Sequence, residues 1–205
     1  MSIPKVAIIV MAAGTSRRLG QPKQLLELGG EPLIRHTVRH AMAVKASEVI
    51  VVLGNEAGAI GAAIGDLGQR TVINERFAEG QSTSMIAGLN ALAGDVDAVV
   101  MMLGDQPTVT TQLINDLIDR FAMTNARIVQ PYYDDGKPGN PGLIRRDLIP
   151  ELLQVTGDIG AREVVRAHRD EVERVDVRLP HPLDVDTDED YQELLKFWAL
   201  SGRGE

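Results

Sequence analysis

Short β-branched runs alternate with longer stretches of helical period through the first two thirds of the chain. That alternation is the signature of βα units around a mostly parallel sheet covered on both faces. Strands are expected at 5–11, 48–53, 69–73, 98–103 and 127–132, with helices between them near 32–44, 57–66, 82–93 and 110–123. The first helix places Leu33, Ile34, Val38, Ala41 and Met42 on one stripe behind Pro32 in its first turn. The fourth begins at a Thr pair suited to N-capping. After about residue 133 the rhythm breaks into a turn-rich stretch, 134–142, followed by Leu143-Ile144, which reads as an excursion folding over the sheet. A helix near 161–169, a strand near 172–177 and a last helix from 188 to 200 complete the pattern. There is no internal repeat and no linker, so the expected organisation is one α/β domain over residues 1–205.

Apolar residues make up 44% of the chain and aromatics only 3%, so the core must be built from Val, Ile, Leu, Ala and Met. Lys and Arg total 21 against 29 Asp and Glu, a net charge of -8, which argues against a nucleic-acid or anionic-membrane binder. Any phosphate chemistry must therefore be local. No cysteine occurs, which removes disulfides, thiolate nucleophiles and zinc-thiolate or iron-sulfur sites, and fits a reducing cytoplasm. The longest apolar run, 6–13, is too short to cross a bilayer and lacks the flanks of a signal peptide, so a cytoplasmic chain with no membrane partner is expected.

The loop after the first strand carries the first chemical signal. Ala12, Ala13, Gly14 and Ser16 are small enough for backbone amides to approach an anion, and Arg17, Arg18 and Lys23 add the charge a triphosphate needs. Neither the Walker A spacing nor the dinucleotide fingerprint is present. The run Met11 through Lys23 reads x-A-A-G-x-S-x-R-x-G-x-x-K. It resembles the signature loop of the nucleotidyltransferases that make the dinucleotide forms of the molybdenum cofactor.

Later landmarks follow in the order of that family. Leu103-Gly104-Asp105-Gln106-Pro107 ends an apolar strand. Alone, Asp105 reads equally as a turn former; the resemblance makes it a Mg²⁺ ligand. Leu183-Asp184-Val185-Asp186-Thr187-Asp188-Glu189-Asp190-Tyr191 is similar to the family's closing motif. Asp188, Glu189 and Asp190 serve the start of a helix capped by Thr187; the resemblance implies a second metal carboxylate, for which Asp186 is the candidate with Asp184 in reserve. Gly80, Ser82 and Ser84 resemble the segment beside the base and ribose. Asn140 and Pro141, with Asp158 and Gly160, resemble the turns lining the acceptor side; many relatives carry His in place of Asn140.

The resemblance implies a Rossmann-like nucleotidyltransferase fold and Mg²⁺-dependent transfer of CMP from CTP to the phosphate of molybdenum-loaded molybdopterin, with release of pyrophosphate. Arg18, Lys23 and Asp105 are its implied catalytic residues, and a molybdoenzyme its implied recipient. A-A-G in place of L-A-G-G, with G-D-Q-P, favours CTP over GTP. Guanylyl transfer, cytidylyl transfer to another phosphorylated small molecule, and a cofactor-carrying chaperone remain as alternatives. His36 and His40, four apart on the first helix, read as packing or solvated residues rather than metal ligands, and Phe197 and Trp198 as packing residues.

Overall fold

A computed structural model describes residues 3–16 and 18–201. The chain runs through β1 (Val6–Ala12), a short hairpin of β2 (Glu27–Leu28) and β3 (Glu31–Pro32), α1 (Leu33–Met42), β4 (Glu48–Leu53), α2 (Ala57–Ile64), β5 (Arg70–Ile73), α3 (Gln81–Asn90) and β6 (Ala98–Leu103). It continues through α4 (Thr111–Thr124), β7 (Ile128–Tyr132), β8 (Gly142–Arg145), α5 (Ile149–Leu152), α6 (Arg162–Ala167), β9 (Val172–Asp176) and α7 (Asp188–Leu200). The seven-stranded sheet has the order β5-β4-β1-β6-β8-β7-β9, parallel except for β8.

Strand alternation builds two cores. Ile8 and Val10 of β1 pack with Ile34 and Val38 of α1, Ile60 of α2 and Leu117 of α4. Ala7 and Ile9 point the other way, to Met85 of α3, Leu152 of α5 and Val164 of α6. Helices therefore cover both faces, as the βα pattern requires. Thr110 accepts a hydrogen bond from the Leu113 amide and starts α4, and Thr187 and Asp190 form a capping box at α7.

The 142–145 segment departs from expectation. Leu143-Ile144 does not fold over the sheet; it enters it as β8, antiparallel between β6 and β7. Leu143 is fully buried in one core and Ile144 in the other. A dipeptide that is apolar on both faces is stable only inside a doubly covered sheet, and the turn-rich stretch before it supplies the reversal. The hairpin 27–32 is also new. Leu26, Leu28 and Leu33 around it form a third cluster with Val185, Leu194 and Trp198, which anchors α7 and the segment before it. The two discounted histidines are structural: His36 bonds the Leu28 carbonyl at 2.7 Å against the edge of Trp198, and His40 bonds the Val109 carbonyl. No helix among the described residues is long and apolar enough to cross a membrane.

Register places Arg145 beside Ala98, at the N-terminal end of the parallel strands, and there a charge network ties β7, β8 and α6 together. Arg127 reaches Asp147 and Glu171, while His168 lies 2.8 Å from both Glu151 and Glu171. Hydrogen bonds to Glu151 and Glu171 raise the His168 pKa, against the pull of burial. A raised folded-state pKa makes the stabilisation complete below the unfolded value and removes it as pH climbs through the folded one. His168→Gln should therefore lower the melting midpoint by about 2 °C near pH 6 and by less near pH 9. Thermal melts at the two pH values check this, and a deficit independent of pH contradicts it.

Candidate active site

The order of strands reverses at β1, whose neighbours are β4 on one side and β6 on the other. Open α/β sheets bind ligands beyond the carboxyl ends of the strands at such a point. A cleft of about 490 Å³ lies there, walled by the loop after β1, the turn after β6, the start of α3 and the segment before α7.

Four charged side chains meet in it. The Lys23 ammonium stands 2.5 Å from Asp105 Oδ2 and 3.0 Å from Asp186 Oδ1, and Arg18 lies 2.6 Å from Asp186 Oδ2. Burial pulls the Lys23 pKa down, but the charges of Asp105 and Asp186 outweigh it, so the pKa lies above the ordinary lysine value. Asp184 is held differently: Gln106 Nε2 donates to it at 2.7 Å. Burial pushes the Asp184 carboxyl above the usual carboxylate range, with the Gln106 donor opposing and the negative charge of Asp105 adding to the rise.

This donor set suits a hard divalent cation. An ammonium already sits between Asp105 and Asp186, so both carboxylates converge on one cation position. Among the described residues no group of three or more His, Cys, Asp or Glu forms a metal site. A cation held by two carboxylates must complete its shell with water and phosphate oxygens, which is the habit of Mg²⁺.

Beside the charges, the loop offers amides. Among the described residues, those of Gly14, Thr15 and Ser16 meet no acceptor, while Ser16 Oγ accepts from the Lys23 amide at 3.0 Å. Opposite, Gly80 has φ +119°, and a Cβ there would stand 2.7 Å from the Gly157 carbonyl. Only glycine lets the 157–158 turn press on the start of α3. Asp158 then accepts from the Gln81 amide and Gly157 from the Ser82 amide.

Of the residues singled out from sequence, Ala13, Gly14, Ser16, Arg18, Lys23, Gly80, Ser84, Asp105, Asp158, Asp184 and Asp186 line the cleft. Ala12 is buried at the end of β1, and Ser82 is buried beneath the α3 start. Asn140 and Pro141 do not line the cleft; the Asn140 carbonyl is bonded by Tyr133. Gly160 packs behind Gln81 rather than in the cleft. Arg17 falls outside the described residues.

Gln24, Phe77, Gln81 and Gln106 shape the site without having been singled out for it. Their side chains are neutral, and only proximity in space reveals them. Asn74 was also passed over as a site residue: its amide donates to both Thr83 and Ser84 and so fixes the first turn of α3.

A sheet with this switch point, carrying a basic loop opposite two carboxylates, defines a nucleotidyltransferase domain of the nucleotide-diphospho-sugar transferase fold. The model of the MobA-like NTP transferase domain matches residues 8–172, and the chain belongs to that family. Nicotine blue oxidoreductase of Paenarthrobacter nicotinovorans is 30% identical over 172 residues, 80% of this chain and 83% of that protein. The bifunctional protein GlmU of Desulfotalea psychrophila is 26% identical over 73% of this chain, which spans less than half of that protein, 44%. Among solved structures, the Rv0371c homologue from Mycobacterium sp. strain JC1 superposes with a TM-score of 0.86 at 33% identity, covering 96% of this chain and 98% of that one. Rv0371c of Mycobacterium tuberculosis in complex with manganese gives 0.82 at 31% identity, covering 94% and 98%.

Proposed function

We propose that the chain transfers a nucleoside monophosphate from an NTP to a phosphorylated small molecule, specifically CMP from CTP to the phosphate of molybdenum-loaded molybdopterin. The observation that carries this reading is the convergence of Lys23, Asp105 and Asp186 at the switch point, beside the Gly14, Thr15 and Ser16 amides that meet no acceptor among the described residues. In the reaction an oxygen of the acceptor phosphate attacks the α-phosphorus, the bond to the α,β-bridging oxygen breaks, and pyrophosphate leaves. The nucleophile is already ionised, so positioning and charge neutralisation suffice and no side-chain base is needed.

Each residue then has a task. The amides of Gly14, Thr15 and Ser16 would hold the β- and γ-phosphates, and Arg18 and Lys23 would exchange their carboxylate partners for phosphate oxygens as pyrophosphate charge develops. Asp105 and Asp186 would hold Mg²⁺, which supplies Lewis-acid neutralisation of the phosphate oxygens. Asp184, engaged by Gln106, would serve as a wall of the cleft. Gly80 and Ser84 would meet the ribose and base, and Asp158 would face the acceptor.

CTP is favoured by the A-A-G of the loop. Ala13 is almost wholly buried, and a methyl on Gly54 would stand 2.7 Å from the Cβ of both Ala13 and Phe77. Ala13 and Phe77 both line the cleft, where the Ala13 methyl would narrow the base site in favour of a pyrimidine. Pyrophosphate release with each of the four NTPs and Mg²⁺, with and without molybdenum-loaded molybdopterin, tests the assignment. Release with CTP that depends on the acceptor is the expected result. Release with GTP alone would move the chain to guanylyl transfer, and CTP turnover only with another phosphorylated compound would change the acceptor.

A further inference from the structure

Gln24 follows Lys23 in the short 3-10 turn Lys23–Leu25 and lines the cleft, yet it is only 2% exposed. Its Oε1 is buried and accepts no hydrogen bond. A Cβ added to Gly14 would stand 3.8 Å from its Nε2, so the carboxamide lies directly against the loop after β1. The same turn grips that loop a second time, through the Lys23 amide and Ser16 Oγ.

A buried carboxamide oxygen without a donor is unfavourable, and leucines fill the next two positions. The carboxamide turns its Nε2 to Gly14, and the loop it packs on carries donors: the amides of Gly14, Thr15 and Ser16 are themselves without acceptors among the described residues. We infer that Gln24 is a positioning residue for the phosphate loop: its Oε1 accepts from one of these amides when a nucleoside triphosphate seats the loop, which directs the remaining amides at the β- and γ-phosphates. Gln24 acts through the loop and touches no reacting atom. The inference rests on the nucleotide-binding reading above and adds to it a residue beyond the Met11 to Lys23 run.

Gln24→Met tests it, since methionine has similar length and no amide. Binding of Mg²⁺–CTP and of CMP is measured by calorimetry, together with the melting midpoint without nucleotide. Mg²⁺–CTP should bind about tenfold more weakly to the variant, CMP should bind within about twofold of wild type, and the midpoint should be unchanged or higher. Equal weakening for both nucleotides, no weakening for Mg²⁺–CTP, or a lowered midpoint overturns the inference, because each marks a residue that is structural or idle. Wild-type protein that binds neither nucleotide overturns the nucleotide reading and the inference with it.

Discussion

Lys23→Met should lower nucleotidyl transfer by about 10³-fold, because the half-buried ammonium is positioned to follow charge from the carboxylates to the leaving pyrophosphate. The variant should still fold, since Lys23 lies in a 3-10 turn whose Ser16 contact uses only its backbone amide. Its melting midpoint at neutral pH should nevertheless fall by about 5 °C, because Asp105 would lose its cation and Asp186 would keep only Arg18. The raised Lys23 pKa means that its ionic contribution to stability is present across the neutral range. It is lost only as pH rises through a folded value above that of free lysine. Steady-state kinetics and thermal melts check both effects, and transfer within about tenfold of wild type would remove Lys23 from the machinery.

The second large effect belongs to Asp105. Asp105→Asn keeps the shape of a residue that is 8% exposed, so the turn after β6 should survive. Turnover should fall by about 10³-fold, because a neutral amide cannot share a cation with Asp186. Asp184→Asn is the matched control. Asp184 already accepts from Gln106, and its loss should cost about tenfold or less. A larger loss from Asp184→Asn than from Asp186→Asn would exchange the two residues in the assignment. Manganese binding followed by electron paramagnetic resonance reads the same comparison independently of turnover.

The fold was legible wherever periodicity was strong. β1, β4 and β6 are apolar on both faces, and their ends fall within a residue of expectation. Sequence pattern failed at β8, where four residues give no period to read and burial on both faces comes from neighbours far along the chain. The hairpin 27–32 was missed for the same reason, with two residues in each strand. In the site, Arg18 and Lys23 stood out as cations in a loop of small residues and Asp105 and Asp186 through the family resemblance, and the four side chains do meet. Alternation puts Asp184 and Asp186 on one side, and their different partners were not legible: Asp184 accepts from Gln106, 78 residues away, while Asp186 meets Arg18 and Lys23. Neutral groups such as Gln24 and Asn74 carry no such mark.

The most direct test of the central claim follows the phosphorus atoms. CTP labelled with ³²P at either the α- or the γ-position is incubated with the protein, Mg²⁺ and molybdenum-loaded molybdopterin, and the products are separated. The account predicts that α-label appears in the acceptor and γ-label in pyrophosphate, at equal rates. Label from the γ-position in orthophosphate, or α-label that stays in CTP or CMP, would contradict it.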